Sequence, residues 1–216
     1  GRVSDQRIDK VVPLTTPALL HHELPLDAEL AAAVLDGRRS VSRVLDRDDD
    51  RLRVDVGPCS VHYTAAALEY AHLLREAAGQ LADDLLVVMR VYFEKPRSTV
   101  GWKGLINDPG LDGSGDVNTG LRTARSLLLE VLRLGLPVGC EFLDPITPQY
   151  IADTVAWGAI GARTTESQVH REMTSGLSCP VGFKNGTDGN VKIAIDAVQA
   201  AAHPHHFLAV TKQGHS

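Results

Sequence analysis

Charged side chains follow a series of short apolar segments in this chain, and helical periodicity fills the intervals between those segments. When parallel strands alternate with helices in a βα barrel, the carboxyl ends of all the strands lie at one face, where the chemistry of such barrels gathers. The pattern therefore predicts an α/β fold with its functional residues at one end of a sheet. The segments and the residues that follow them are 54–56 before Cys59, 85–91 before Lys95, 136–140 before Glu141, 157–162 before Arg163, and 179–183 before Lys184.

The same alternation predicts a barrel with fewer strands than a complete one. Helical patterns are expected near residues 27–45, 65–81, 120–134, 147–158, 167–174 and 190–201, and the apolar run at 206–210 is interpreted as a sixth strand. A TIM barrel, (β/α)8, has eight strands and typically about 250 residues. We therefore expect an N-terminal extension at residues 1–50 and an incomplete TIM-barrel catalytic domain at residues 51–216, with about six of the eight strands.

Charge and cysteine content narrow the possible partners. The formal net charge is −5 at pH 7, which argues against nucleic acid or an anionic membrane as a partner. No apolar run is long enough to span a bilayer. Cys59, Cys140 and Cys179 show no Cys-x-x-Cys spacing, which fits a reducing cytoplasm better than a disulfide framework. The sequence thus predicts a cytoplasmic protein that acts on a small molecule.

Four cations at the ends of successive strands predict an anion-binding pocket. Arg90, Lys95, Arg163 and Lys184 would all reach one face of the sheet. Guanidinium groups bind phosphate and carboxylate oxygens in pairs, and ammonium groups bind them as point charges. Arginine and lysine near strand ends are more often solvated surface charges, but their recurrence on consecutive strands favours anion binding. The histidines at 170, 203, 205 and 206 are interpreted as structural or solvated side chains, whereas His62 either approaches the site or makes a hydrogen bond to the backbone.

Six separated motifs carry a family resemblance. They are Gly-Pro-Cys-Ser at 57–60, Met-Arg-Val-Tyr-Phe-Glu-Lys-Pro-Arg at 89–97, Gly-Trp-Lys-Gly at 101–104, Glu-Phe-Leu-Asp at 141–144, Gly-Ala-Arg-Thr-Thr-Glu-Ser-Gln at 161–168, and Gly-Phe-Lys-Asn-Gly-Thr at 182–187. Together they closely resemble the type I 3-deoxy-D-arabino-heptulosonate 7-phosphate (DAHP) synthases, from about residue 5 to the last residue. Those enzymes condense phosphoenolpyruvate with erythrose 4-phosphate and begin the shikimate pathway to aromatic amino acids.

The resemblance implies a role for each motif residue. Arg90, Arg163 and Lys184 match the positions that hold the phosphate and carboxylate of phosphoenolpyruvate, and Lys95 matches a lysine that reaches both substrates. Glu141 matches a carboxylate near the reacting carbons. The remaining implied contacts are the erythrose 4-phosphate loop Pro96, Arg97 and Ser98, and the backbone at Gly161 and Ala162.

The resemblance also implies a metal, an effector and a homo-oligomer. Cys59 matches the cysteine ligand of a divalent metal, Mn²⁺ or Fe²⁺, whose His, Glu and Asp ligands would lie beyond residue 216; without that context an isolated cysteine is usually a small buried apolar residue. An effector, tyrosine or phenylalanine, would bind away from the active site, and Pro145 favours tyrosine. The implied effector-binding residues are Pro145, Gln149, Leu177, Ser178 and Phe207, and residues 1–50 would supply part of an oligomer interface.

Alternative functions remain open at this point. The chain is expected to be a DAHP synthase, or else a truncated, non-catalytic relative that binds phosphoenolpyruvate or an aromatic amino acid. A third interpretation is a related aldol synthase that uses phosphoenolpyruvate with another aldose phosphate, against which the loop at 95–98 argues by resemblance.

Overall fold

A computed structural model describes residues 3–96 and 99–213. Within them a single all-parallel sheet has its strands in the order of the chain, which is the arrangement that repeated βαβ units produce. Arg97 and Ser98 lie outside the described residues. The strands are β1 Leu52–Val56, β2 Leu85–Arg90, β3 Val138–Glu141, β4 Trp157–Ile160 and β5 Val181–Phe183.

Seven α-helices accompany the sheet in the described residues, and side chains cap most of their amino ends. Thr16, Asp27, Asp116, Ser167 and Asn190 each accept a hydrogen bond from a backbone N–H in the first turn. The helices are α1 Pro17–Glu23, α2 Ala28–Leu45, α3 Thr64–Gln80, α4 Val117–Arg133, α5 Pro148–Ile151 with a 3₁₀ turn at Ala152–Thr154, α6 Gln168–Ser175 and α7 Val191–Ala201. None of these helices is long and apolar enough to cross a membrane.

The register divides the sheet into an apolar face and a charged face. Met89, Val138 and Ile160 belong to the main core, which packs against the helices. Because side chains alternate across a strand, Arg90 and its Cα partner Gly139 lie on the other face. The same alternation and pairing put Glu141, Ala159, Gly182 and Lys184 on the face of Arg90.

Helix α2 covers the part of that second face that precedes Arg90 along β2. Val41 is buried against Leu86 and Val88 of β2, and Val44 and Trp157 pack around this small cluster. The Trp157 ring also lies against Gly182, where an added Cβ would stand 2.3 Å from Trp157 Cζ2. On its other side, the Arg53 guanidinium carbon lies 3.7 Å from the centre of the Trp157 ring. The side chain of Trp157 therefore contacts β1, β5 and the cluster under α2.

A fully buried arginine joins the N-terminal segment to the rest of the fold. Arg125 of α4 donates to both oxygens of Asp153, at 2.7 and 2.9 Å. It also donates to the carbonyl oxygens of Leu24, at 2.7 Å, and Tyr150, at 2.9 Å. One side chain thus connects α4, the α1–α2 link and the end of α5.

The predicted sixth strand is wrong. Residues 206–210 form no strand, and Leu208 is 92% exposed. The segment lies beside α1 and α5, where the Gln149 side chain donates to the Val210 carbonyl at 2.8 Å and the Ala18 N–H donates to the Lys212 carbonyl at 3.2 Å. An apolar run makes a strand only when its backbone pairs with a neighbouring strand, and within the described residues the segment 206–210 is not part of the sheet.

Candidate functional site

Arg90 stands at the end of β2 and is held from three sides. Its Nε and one terminal nitrogen donate to the carbonyl oxygens of Pro58 and Cys59, both at 3.2 Å. Its guanidinium carbon lies 4.0 Å from the centre of the Tyr92 ring. Gly57 makes this approach possible, because a Cβ there would stand 2.2 Å from the Arg90 carbonyl oxygen. The loop after β1 therefore fixes the Arg90 side chain.

Lys95 lies next to Cys59 at the same end of the sheet. The Lys95 ammonium donates to Cys59 Sγ at 3.1 Å, and this contact, with help from Arg90, lowers the pKa of the exposed thiol. The Lys95 N–H donates to the Lys103 carbonyl at 2.9 Å, which pairs the segments on either side of residues 97–98. The structure thus brings two residues that are far apart in sequence to one place.

The Glu141 carboxyl lies within the field of all four predicted cations. It ends β3 and is buried, and burial raises its pKa. Lys184, Arg90, Arg163 and Lys95 act in the opposite direction, in that order of strength, and the Lys184 ammonium is 3.9 Å from Glu141 Oε1. The cations predicted from three segments, which lie at or after the ends of β2, β4 and β5, therefore all act on one carboxyl group.

The segment after β4 is fitted closely against Glu141 and Lys184. An added Cβ at Gly161 would stand 2.3 Å from Glu141 Oε1, so only glycine leaves the carboxyl in this position. Thr165 is buried, and its hydroxyl lies 2.6 Å from the Lys184 carbonyl oxygen. Sequence reasoning missed Thr165; a hydroxyl directly after a strand end was the available signal.

Two further residues of the site were missed. Tyr92 is buried on the same face as Arg90, and its ring centre is 5.8 Å from the Lys184 ammonium. Burial raises the pKa of Tyr92 to about 12. Glu94 is also largely buried; burial and a hydrogen bond to Asp144 raise its pKa to about 9. Tyr92 and Glu94 lie two and four residues after Arg90. This spacing was the signal for both, because alternate residues of an extended segment share a face.

A sequence profile of the DAHP synthetase I family matches residues 27–215. The chain belongs to that family. It is 58% identical over 212 residues to the Phe-sensitive phospho-2-dehydro-3-deoxyheptonate aldolase of Escherichia coli, covering 98% of this chain and 61% of that protein. It is 54% identical over 211 residues to the tyrosine-inhibited enzyme of Candida albicans, covering 97% of this chain and 57% of that protein.

A solved structure has the same fold. The phospho-2-dehydro-3-deoxyheptonate aldolase of Francisella tularensis superposes with a TM-score of 0.94 at 52% identity, over 96% of this chain and 61% of that one. The DAHP synthetase I chain thus spans 57–61% of the length of these relatives. The predicted family is confirmed.

The described part of this DAHP synthetase I chain offers one candidate metal ligand. Cys59 has an exposed thiol beside Lys95, but residues 3–96 and 99–213 contain no group of three His, Cys, Asp or Glu side chains that could hold a metal ion. A single thiolate is not a transition-metal site, so these residues alone do not fit a complete one.

The predicted effector residues fall into two groups in this family member. Pro145 and Gln149 line a mostly apolar cavity of about 430 Å³, together with Leu14, Pro17 and residues 208–211. Leu177, Ser178 and Phe207 are not among the described residues that line it. Phe207 instead approaches Gly176, where an added Cβ would stand 3.6 Å from Phe207 Cζ.

Proposed function

We propose that this chain carries the phosphoenolpyruvate site of a DAHP synthase, which condenses phosphoenolpyruvate with erythrose 4-phosphate and releases phosphate. The observation that carries the proposal is the set of four cations around Glu141. Phosphoenolpyruvate bears a phosphate and a carboxylate, so a site for it needs several positive charges close together. Family membership supports the same reaction, the first step towards aromatic amino acids.

Each cation has a place in this proposal. Arg90, Arg163 and Lys184 bind the phosphate and carboxylate of phosphoenolpyruvate, and Lys95 reaches both substrates. Two carbonyl oxygens and a ring already fix Arg90, so little side-chain entropy is lost when an anion binds. The backbone at Gly161 and Ala162 contacts the same ligand.

Glu141 supplies a carboxyl group on which all four of these cations act. Its burial favours the protonated form and the cations favour the carboxylate, so binding of an anion would shift the balance towards protonation. That gives the site a group able to hold or release a proton beside the reacting carbons. The erythrose 4-phosphate loop would contain Pro96, Arg97 and Ser98, of which the last two lie outside the described residues.

The proposal includes a divalent metal, Mn²⁺ or Fe²⁺, for which Cys59 is the candidate ligand among the described residues. Such a metal would polarise the aldehyde of erythrose 4-phosphate. Because the described residues offer no complete set of ligands, we derive no step of the reaction through it.

The remaining expectations are proposals as well. The sequential parallel sheet supports a TIM-barrel architecture, in which β1 to β5 would be successive strands. Tyrosine or phenylalanine would bind near Pro145 and Gln149, since that cavity is largely apolar. A homo-oligomer with residues 1–50 at its interface, and a cytoplasmic location without nucleic-acid or membrane partners, stay predictions.

Calorimetric titration of the full chain with phosphoenolpyruvate tests the site. Lys184→Met is expected to weaken binding at least tenfold, because it removes a cation beside Glu141. Lys192→Met is the matched control; that lysine is exposed on α7 and pairs with Asp196 of the same helix, at 2.8 Å. Absence of binding by the folded chain would refute the proposal.

Turnover separates the alternative functions. The full chain is incubated with phosphoenolpyruvate, erythrose 4-phosphate and Mn²⁺, and loss of phosphoenolpyruvate is followed against a reaction without the aldose. Chelator-sensitive turnover supports the synthase. Binding without turnover supports the non-catalytic relative, and turnover with a different aldose phosphate supports the third interpretation.

A further inference from the structure

The ring of Tyr92 is shared by two cations of the anion site. The Arg90 guanidinium carbon is 4.0 Å from the ring centre and the Lys184 ammonium is 5.8 Å from it. Both distances fall within the range in which the negative face of an aromatic ring attracts a cation. The two cations come from the ends of β2 and β5, which are not neighbours in the sheet.

Tyr92 can attract these cations without competing with an anionic ligand. It is buried, and burial keeps the phenol neutral, with a pKa of about 12. A carboxylate in the same place would pair with the cations and neutralise them. The ring has a quadrupole but no net charge, so it does not neutralise the charge of Arg90 or Lys184.

The other contacts of Arg90 and Lys184 do not occupy the surfaces that face the Tyr92 ring. Two carbonyl oxygens hold the edge of the Arg90 guanidinium, which leaves its planar face to Tyr92. Lys184 has a looser partner in Glu141, at 3.9 Å, and its side chain is nearly half exposed. Like charges brought together repel one another, so a neutral surface that attracts both reduces the cost of assembling them.

We propose that Tyr92 is a positioning residue of the anion site, and that its aromatic face, not its hydroxyl group, holds Arg90 and Lys184 in place for the phosphate and carboxylate of the substrate. This inference rests on the proposed function. It assigns Tyr92 no contact with the reacting atoms. Its consequence is that the affinity for anions depends on the electron density of the ring at constant shape.

Fluorinated rings test this dependence directly. Position 92 of the full chain is replaced by phenylalanine and by its mono-, di- and trifluorinated forms, in which fluorine withdraws electron density and changes the volume little. Binding of phosphoenolpyruvate and of inorganic phosphate is measured by calorimetry. Tyr92→Phe should bind within about twofold of the wild type, and affinity should then fall stepwise, by between about two- and thirtyfold at the trifluorinated ring.

Two controls separate positioning from packing. The same fluorinated series at Phe142, which is buried next to Gly158, should leave affinity unchanged. In a Lys184→Met background, the dependence on fluorination at position 92 should become shallower, because one of the two cations is gone. Near-ultraviolet circular dichroism checks that each variant is folded.

The outcomes distinguish this inference from the proposed function. If the wild type binds and affinity is the same across the series at position 92, the inference is overturned and the proposed function stands. If the folded wild type binds neither anion, both are overturned. A stepwise loss at position 92 and none at position 142 supports the positioning role.

Discussion

The carboxyl groups of Glu94 and Asp144 are hydrogen-bonded to each other, and this contact, together with burial, raises the pKa of Glu94 to about 9. Burial acts to raise the pKa of Asp144, but hydrogen bonds from Glu94, Thr147 and Ile146 outweigh it and leave that pKa lowered. Two carboxyl groups can lie this close when they share one proton. Glu94 immediately precedes Lys95, and Asp144 begins the turn before α5. The shared proton therefore ties the segment after β2 to that turn.

Glu94→Gln should remove a pH dependence of stability. The folded-state pKa of Glu94 is raised from 4.5 to about 9, so its contribution to stability is present below pH 4.5 and is lost as the pH rises towards 9. Glutamine keeps a donor for Asp144 and has no proton to lose. We expect the wild type to lose up to about 1.4 kcal/mol of unfolding free energy per pH unit from this group, and the variant to lack that component. Urea denaturation between pH 5 and 9 measures it.

The control for that experiment is Glu130→Gln, at an exposed position of α4. It removes a carboxylate without touching the buried pair. Equal slopes of unfolding free energy against pH in the two variants would show that Glu94 does not hold the shared proton.

Gly161→Ala should weaken phosphoenolpyruvate binding with little loss of stability. The added methyl carbon would lie 2.3 Å from Glu141 Oε1, and that oxygen is the end of a side chain that can move aside. The carboxyl then leaves its place near Lys184, and the methyl group covers backbone that we propose contacts the ligand. We expect roughly tenfold weaker binding by calorimetry and less than about 1 kcal/mol change in unfolding free energy.

Gly176→Ala is the comparison for this substitution. Its added carbon meets the Met173 carbonyl at an ordinary contact distance of 3.6 Å. Unchanged binding by Gly161→Ala would mean that the Glu141 position is not coupled to the ligand.

Gly182→Ala should destabilise the fold. The added carbon would lie 2.3 Å from Trp157 Cζ2 and 2.7 Å from Cη2, and an indole ring cannot bend away as a flexible chain can. Overpacking of this kind costs about 1–3 kcal/mol. We also expect a shifted fluorescence emission, because Trp157 must leave its stack with Arg53.

A helical glycine provides the opposite case. Gly79 lies in α3, and the nearest atom to an added carbon there is Arg75 Nη1 at 4.0 Å. Gly79→Ala should stabilise the protein by about 0.5–1 kcal/mol, because alanine loses less backbone conformational entropy than glycine when the helix forms. If both alanine variants unfold at the same urea concentration as the wild type, the close approach at Gly182 is not a constraint.

Most of the helices and strands could be predicted because their signals are local. The helix predicted near residues 120–134 is α4, at Val117–Arg133, where an Asp116 cap and an apolar stripe lie within one segment. Helix α1 was missed, although Thr16 followed by Pro17 is a local start signal. The wrong strand at 206–210 had the right composition, but a strand also needs a partner, and the composition of one segment does not reveal it.

The four cations near Glu141 were named from the sequence, whereas the contacts of two of them with Tyr92 were not. Arg90 and Lys184 are named by their motifs, whereas the contact of Tyr92 with Lys184 depends on the register of several strands. Likewise, Thr165 reaches a carbonyl 19 residues away, and Glu94 reaches the backbone of residue 143. Such contacts follow from tertiary packing, which one sequence without its fold does not specify.

Arg125→Met should be among the most destabilising substitutions in the chain. Arg125 is fully buried, and its loss leaves the Asp153 carboxylate and the carbonyl oxygens of Leu24 and Tyr150 without their donor. Breaking a buried pair by removal of one partner costs about 3–5 kcal/mol. The unfolding free energy from urea denaturation measures the loss.

The matched control lies on the same helix. Arg122 also pairs with a carboxylate, at 2.7 and 3.0 Å from Glu23, but both side chains are partly exposed. Arg122→Met should therefore cost much less unfolding free energy than Arg125→Met, because solvent screens an exposed pair. Because the two substitutions remove the same chemical group from one helix, the difference in unfolding free energy reports the burial of Arg125. A difference near zero would mean that Arg125 does not hold α4, the α1–α2 link and the end of α5 together.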